Sequence, residues 1–230
     1  MEIKESVALV TGANRGIGRA FVRALVDHGA AKVYAGARDP ATVVDKGVIP
    51  LELDVTRPAD ITAAAAAADD VTIVINNAGV FDSSTKLLEG SLDDAHQAME
   101  VNYFGTWAVS SAFAPILARN GGGALVNMLS VASWVGRPEF PGYAASKAAQ
   151  WSLTQSLREG LREQGTLVVG VHAGFVDTDL STWIDAPKIS AASVAEQTMQ
   201  ALANGSTEVL ADERARQIKA TLSQLADGSH

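Results

Sequence analysis

Tyr143 and Lys147 stand four residues apart in Tyr143-Ala144-Ala145-Ser146-Lys147. On a helix that spacing puts a phenol and an ammonium on one face, one turn apart. A phenol has a pKa of about 10 and is a poor base at neutral pH. A nearby ammonium favours phenolate and lowers that value, so the pair is suited to exchange a proton with an alcohol or carbonyl oxygen. A second pattern, Thr11-Gly12-Ala13-Asn14-Arg15-Gly16-Ile17-Gly18, spaces its glycines G-x-x-x-G-x-G. Glycines so placed let the backbone turn tightly and approach a pyrophosphate, and a following helix N-terminus supplies free N–H groups. The spacing differs from the G-x-G-x-x-G of the usual dinucleotide fingerprint. Taken alone, each pattern also fits a plain structure: a surface helix pair and an ordinary glycine turn.

The next strand end separates two cofactors. An NAD site places an acidic side chain there for the ribose 2′-hydroxyl. In Tyr34-Ala35-Gly36-Ala37-Arg38-Asp39, Ala37 takes the acidic position and Arg38 follows. Arginine binds a 2′-phosphate through paired hydrogen bonds, and Arg15 in the glycine loop is placed to face the same group. Two cations predict NADP(H) in preference to NAD(H). Asp39 comes one or two positions late for the ribose and is free to pair with Arg38.

These residues need a scaffold, and the chain alternates strand-length apolar runs with helical patterns throughout. Strands are predicted at Val7–Val10, Lys32–Ala37, Val48–Leu53, Val71–Ile75, Ala124–Leu129, Leu167–His172 and Glu208–Leu210. Helices are predicted over 15–28, where Ile17, Phe21 and Leu25 form an apolar stripe, and near 59–68, 92–118, 143–163, 190–203 and 212–226. Such alternation indicates an α/β doubly wound Rossmann fold: a seven-stranded parallel sheet with helices on both faces and right-handed crossovers. The six alanines Ala63–Ala68 read as a helix with a modest surface. The connection from Arg38 to Val48 has room for a turn or two of helix.

The 230 residues suit one domain, 1–230, with no linker and no repeat. The chain is 47% hydrophobic and 19% charged, which excludes disorder. It contains no cysteine, which excludes thiol catalysis and cysteine-ligated metal. The histidines, His28, His96, His172 and His230, are not at metal-ligand spacing, so no metal site is expected. A net charge of −8 speaks against a nucleic-acid surface. No apolar window spans a membrane and no targeting signal is seen, so a cytoplasmic protein is expected.

With these motifs in order, the sequence resembles the short-chain dehydrogenase/reductase family, in its compact branch of about 250 residues, over nearly the whole chain. Thr11–Gly18 is similar to the family's cofactor loop, with Gly12, Asn14, Arg15, Gly16, Ile17 and Gly18 lining it. Asp54, in Leu53-Asp54-Val55, matches the adenine contact. Asn76-Asn77-Ala78-Gly79 matches the motif closing the fourth strand beside the adenosine ribose. Asn102 matches the helix asparagine that holds a proton-relay water. Ser130, thirteen residues before Tyr143, matches the serine that hydrogen-bonds the substrate oxygen. The resemblance implies Tyr143 as acid/base and Lys147 as the ribose ligand that lowers the tyrosine pKa. The Val176 backbone and Thr178 are then left for the nicotinamide amide. Ser133 is a less well-spaced alternative to Ser130.

Two departures stand out. Ala173-Gly174 replaces the family's Pro-Gly, with His172 just before it as strand-end packing, and Thr178 to Ser190 leaves only a short substrate cover. Val80, Phe81, Trp134, Val135, Glu139, Phe140, Trp183 and Ile184 are expected around an apolar, partly aromatic pocket, and His96 at the surface. The implied function is a carbonyl reductase acting on a small-molecule carbonyl or alcohol. The alternative is a nucleotide-binding signalling protein on the same fold. A homodimer or homotetramer packed through the two long helices is also implied, with Trp151 and Leu157 in that face. Ile218, Leu222 and Leu225 would cap the sheet or join an interface.

Overall fold

The computed structural model describes residues 1–81, 87–182 and 184–226. Trp183 and His230 fall outside that description, as does the side chain of Leu225. The elements run β1 (Val7–Thr11), α1 (Gly16–Asp27), β2 (Lys32–Ala37), β3 (Ile49–Glu52), α2 (Pro58–Ala67), β4 (Ile73–Asn76), α3 (Leu92–Ala98), a π-helical segment (Met99–Gly105), α4 (Thr106–Arg119), β5 (Ala124–Met128), α5 (Pro141–Gly160), β6 (Leu167–His172), β7 (Val176–Asp177), β8 (Ile189–Ser190), α6 (Ala191–Asn204), β9 (Glu208–Leu210) and α7 (Glu213–Ala226).

Seven strands form one parallel sheet in the order β3-β2-β1-β4-β5-β6-β9. The order reverses direction between β1 and β4, and a crevice opens at such a switch point beyond the strand ends. Side chains alternate between the two faces. Val10, Ile75 and Val126 point to the side covered by α1 and α6, where Phe21, Leu25, Met199 and Leu202 pack. Leu9, Val74 and Leu125 point the other way, against Phe113 and Leu117 of α4 and Ile61 and Ala64 of α2. Both faces are buried, which explains why the strands read as continuous apolar runs. The alanine run behaves as expected, with Ala64 and Ala68 facing the core.

Three differences from the predicted elements have physical causes. The helix predicted over 92–118 is helical throughout but widens to π geometry at Met99–Gly105, an insertion that periodicity does not reveal. The last long helix before β6 starts at Pro141, because proline is suited to the first helical position. The pair β7 and β8 is a two-stranded parallel sheet that clips together the two ends of the segment between them. Between β2 and β3 only one 3-10 turn, Pro40–Thr42, is found. That connection is fastened to α1 by Asp45, which accepts hydrogen bonds from Arg19 at 2.6 Å and Arg23 at 2.8 Å.

Candidate active site

A cleft of about 1130 Å³ runs over the ends of β1, β4, β5 and β6. Its floor at one end is the glycine loop. Gly12 and Gly16 have φ of +63° and +53°, which glycine adopts without strain. Gly18 serves a different purpose. A Cβ there would lie 2.0 Å from the Gly12 carbonyl oxygen, so this glycine lets α1 close onto its own loop. Gly18 is buried and does not line the cleft, whereas Gly12, Asn14, Arg15, Gly16 and Ile17 do. No side chain caps the N-terminus of α1, so its first N–H groups are left for a ligand.

Thr11 and Asn77 hold this loop from behind. The Thr11 hydroxyl accepts the Asn77 and Ala78 amides at 3.0 and 2.9 Å. The Asn77 side-chain amide donates to the Thr11 and Gly12 carbonyls at 3.0 and 3.1 Å. Asn77, Ala78 and Gly79 line the cleft, but the Asn77 amide nitrogen is engaged with the loop rather than facing the cavity. Thr11 was not singled out from the sequence; a hydroxyl closing a strand before a glycine loop was the available signal.

Arg15 and Arg38 are both exposed at the cleft edge. Asp39 caps the following turn, its Oδ1 accepting the Ala41 amide at 3.0 Å. Asp54 and Val55 form the adjacent wall. Burial pushes the Asp54 carboxyl up, but two hydrogen bonds from Thr56 and the charges of Arg38 and Arg57 outweigh it and hold it below the usual range.

At the other end, Ser130 caps a 3-10 turn after β5, its Oγ accepting the Ala132 amide at 3.1 Å. Ser133 completes the cap by accepting the Ser130 amide at 3.3 Å, which gives the second serine a supporting task. Ser130, Tyr143 and Lys147 all line the cleft. Lys147 is 5% exposed, and burial lowers its pKa to about 7. Burial raises the Tyr143 phenol, with the Ser130 hydroxyl acting in the opposite direction. The expected depression of the phenol by Lys147 is therefore not what the site shows. The amine lies 5.9 Å from the centre of the tyrosine ring, and desolvation dominates at the phenol.

Asn102 lies behind the cleft wall. It is fully buried and does not line the cleft. Its Oδ1 accepts the Val80 amide at 2.8 Å, and its Nδ2 donates to the Val80 carbonyl at 3.0 Å and to Ser146 Oγ at 2.9 Å. Both amide protons are engaged, so the Asn102 side chain ties the chain after β4 to α5. Gln150, absent from the sequence expectations, accepts from Lys147. Its signal was the polar stripe Tyr143, Lys147, Gln150, Thr154 at helical spacing.

After β6, the Ala173-Gly174 turn is held without a proline ring. Asp212 accepts the Gly174 amide at 2.7 Å and the Ala215 amide at 2.8 Å, locking the turn to the start of α7. Val176 and Thr178 line the cleft; the Val176 carbonyl accepts Ser181 Oγ at 2.6 Å, and the Thr178 methyl faces Gly16. The pocket wall includes Val80, Phe81, Phe140 and Ile184, and Phe81 meets Tyr143 edge-on at 4.9 Å. Trp134, Val135 and Glu139 do not line it. Trp134 stacks on buried His172 at 3.9 Å behind the serine turn, which keeps both from the cavity. His96 is exposed, as expected, but at the cleft mouth, and Arg137 and Arg214 are further lining residues that sequence reading missed.

This crevice, with a glycine cradle and an uncapped helix end at one side and a serine–tyrosine–lysine wall at the other, is of the nucleotide-binding oxidoreductase kind. The short chain dehydrogenase family model matches residues 6–188, and the chain belongs to that family. A short chain dehydrogenase from Burkholderia cenocepacia in complex with NADP superposes with a TM-score of 0.94 at 38% identity, covering 100% of this chain and 98% of that one. One from Burkholderia phymatum in complex with NAD gives 0.88 at 27% identity, covering 100% and 97%. The 3-oxoacyl-(acyl-carrier-protein) reductase of Synechocystis sp. is 30% identical over 197 residues, 80% of this chain and 79% of that protein. The chain is an oxidoreductase of this family acting on CH–OH or C=O groups, with a fold that binds a nicotinamide cofactor. Among the described residues no helix is long and apolar enough to cross a membrane, and no group of side chains could hold a metal ion.

Proposed function

We propose that this protein is an NADP(H)-preferring carbonyl reductase, working in the cytoplasm as one catalytic domain. The observation that carries the reading is the convergence of Ser130, Tyr143 and Lys147 on the cleft that begins at the glycine loop. The cradle fits a dinucleotide: the left-handed glycines and the uncapped end of α1 suit a pyrophosphate. Arg15 and Arg38 suit a 2′-phosphate, while Asp39 is engaged in capping its own turn. Asp54 and Val55 would flank the adenine, Asn77, Ala78 and Gly79 the adjoining ribose, and Val176 and Thr178 the carboxamide. When bound, the reduced nicotinamide supplies the hydride.

The chain's own residues manage the proton and the geometry. Ser130 donates to the substrate carbonyl oxygen and fixes its position. Tyr143, held protonated by burial, gives its phenolic proton to that oxygen as negative charge develops there. Lys147 binds the nicotinamide ribose. Asn102 acts by holding Val80 and Ser146 in place. The aromatic wall of Phe81 and Phe140 excludes water and favours an apolar ketone or aldehyde. Exposed Phe104 and Trp107, beside the long helices, favour the expected homodimer or homotetramer.

The test is NADPH consumption against a panel of ketones and aldehydes, with NADH alongside. Wild type should turn over at least one of them, and Tyr143→Phe should lose roughly 10²–10⁴ in kcat with little change in melting temperature. Equal rates for wild type and Tyr143→Phe would remove the tyrosine from the chemistry.

A further inference from the structure

We propose that Gln150 is a positioning residue, whose side-chain amide fixes where the Lys147 amine points and supplies the acceptor that favours its charged form. Lys147 Nζ donates to the Met128 carbonyl and to Gln150 Oε1, each at 2.8 Å. An ammonium has three protons, so one remains for the cleft. Gly79 lines the cleft beside this amine, a Cβ there standing 3.8 Å from Nζ.

Gln150 is fully buried, and its neighbours allow its amide only one orientation. Its Nε2 donates to Thr106 Oγ1 at 2.8 Å, and the Thr106 hydroxyl donates to the Asn102 carbonyl at 2.8 Å. With that hydroxyl proton committed, Thr106 presents an acceptor, and only an NH₂ group can meet it. The carbonyl oxygen of Gln150 must then face Lys147. A flipped amide would set donor against donor at Lys147 and acceptor against acceptor at Thr106. The frame extends further and closes on itself. Thr154 donates to the Gln150 main-chain carbonyl at 2.8 Å, Asn127 to Thr154 at 2.9 Å, and Asn76 to both Asn127 and Ser110 at 2.9 and 3.0 Å. Ser110 returns to the Thr106 carbonyl at 2.7 Å. Thus β4, β5, α4 and α5 together set the direction of one lysine.

A neutral acceptor is what this place requires. The titratable groups that face Lys147 are Tyr143 on its own helix and His172 at the end of β6; burial keeps His172 uncharged, with a pKa of about 3. No carboxylate among the described residues bonds to Lys147. Burial lowers the pKa of Lys147 to about 7, and a hydrogen-bond acceptor at Nζ opposes that tendency.

The consequence for cofactor binding rests on the proposed grip of Lys147 on the ribose; the positioning itself does not. The experiment is NMR of the protein alone with ¹³Cε-labelled lysine, the Lys147 signal being the one lost in Lys147→Met. Its midpoint should lie near 7 in wild type. Gln150→Leu should lower it by about one pH unit, and Gln150→Glu, which puts a charged acceptor there, should raise it by a similar amount. NADPH affinity, measured by fluorescence titration, should fall about tenfold in Gln150→Leu. If Gln150→Leu fails to fold, Thr106→Val tests the same chain, with a smaller shift in the same downward direction. Midpoints unmoved in the folded Gln150 variants overturn the proposal. Midpoints that move as stated in a protein that neither binds nor consumes NADPH uphold the positioning role and remove the cofactor reading instead.

Discussion

At the Gly12–Ile17 end of the cleft the surface is main chain, and missing side chains make the geometry possible. At the Ser130–Lys147 end the surface is side chain, and buried polar groups satisfying one another make it possible. The first end carries its charges outside, on Arg15 and Arg38, and its carboxylates Asp45 and Asp54 are held low. The second end has its ionisable groups inside, where burial pushes Lys147 down, Tyr143 up and His172 down. A backbone cradle therefore depends little on pH, whereas a buried polar wall has a charge state that its own packing sets. The two ends should fail under different stresses.

Acid makes the largest difference. His172 is 1% exposed, and its Nδ1 faces the Ser130 carbonyl at 3.3 Å. Burial, with help from the Lys219, Arg158 and Lys147 charges, holds its pKa at about 3 against an ordinary 6.5. Glu208 lies 3.7 Å from Nε2 but is already paired with Lys219 at 2.8 Å. Below pH 6.5 the unfolded chain binds a proton that the folded chain refuses. The stability due to a neutral His172 is thus complete above 6.5 and is lost as the pH falls toward 3, about 3 kcal/mol by pH ~4. Asp45 and Asp54, with lowered values, keep their full contribution down to the ordinary carboxylate value of 3.8 and lose it only as the pH falls from there through their lowered values. Urea unfolding from pH ~7 to ~4 should show this slope in wild type, and His172→Gln should flatten it. Hydrogen exchange near Ser130 should quicken before exchange near Gly12. Equal slopes in the two proteins would deny His172 this role.

Sterics make the next difference. Gly18→Ala would put a Cβ 2.0 Å from the Gly12 carbonyl oxygen and 2.5 Å from Asn77 Nδ2. Both atoms belong to the cradle, so the loop must shift. A loss of about 1–3 kcal/mol in stability is expected, with NADPH affinity falling at least tenfold while exchange rates around Tyr143 stay near wild type. If affinity is kept, the close approach of α1 to its loop is not what shapes the cradle.

The two ends also differed in how far the sequence revealed them. The glycine loop was legible because backbone geometry imposes residue types at fixed spacing, and spacing survives in a one-dimensional string; Asp54 and the end of β4 were reached through the resemblance to the family. Tyr143 and Lys147 were legible from their helical spacing, and Ser130 through the resemblance to the family. Asn102 was found as a site asparagine, but its side-chain contacts were not legible, since which amide proton goes where depends on Val80 and Ser146, distant in sequence. Gln150 and Thr11 went unnoticed because a helical polar stripe and a hydroxyl before a glycine loop do not say which partners those side chains bond. Trp134 was placed in the pocket by its position between Ser130 and Tyr143, yet it packs on His172 behind the turn. Sequence order brought it to the right loop and could not choose the face.

The smallest expected effect concerns specificity and is confined to the cradle end. Arg38 follows β2 at the cleft edge and is exposed, so its charge is screened and its value lies in geometry. A guanidinium there would bond a 2′-phosphate through two N–H groups, and a carboxylate in its place would bond a 2′-hydroxyl. Arg38→Asp should therefore weaken NADPH binding about tenfold and leave NADH binding unchanged or tighter. Arg15→Ala should weaken NADPH by less, because its guanidinium is the second of the two. With cofactor saturating, kcat should stay within about twofold of wild type, since Ser130, Tyr143 and Lys147 are positioned by β5, α4 and α5 and not by the β2 edge. The affinity ratio tests the cradle and kcat tests the wall. A ratio that does not move removes Arg38 from the phosphate site, and a kcat that collapses means the two ends are coupled more tightly than their separate supports suggest.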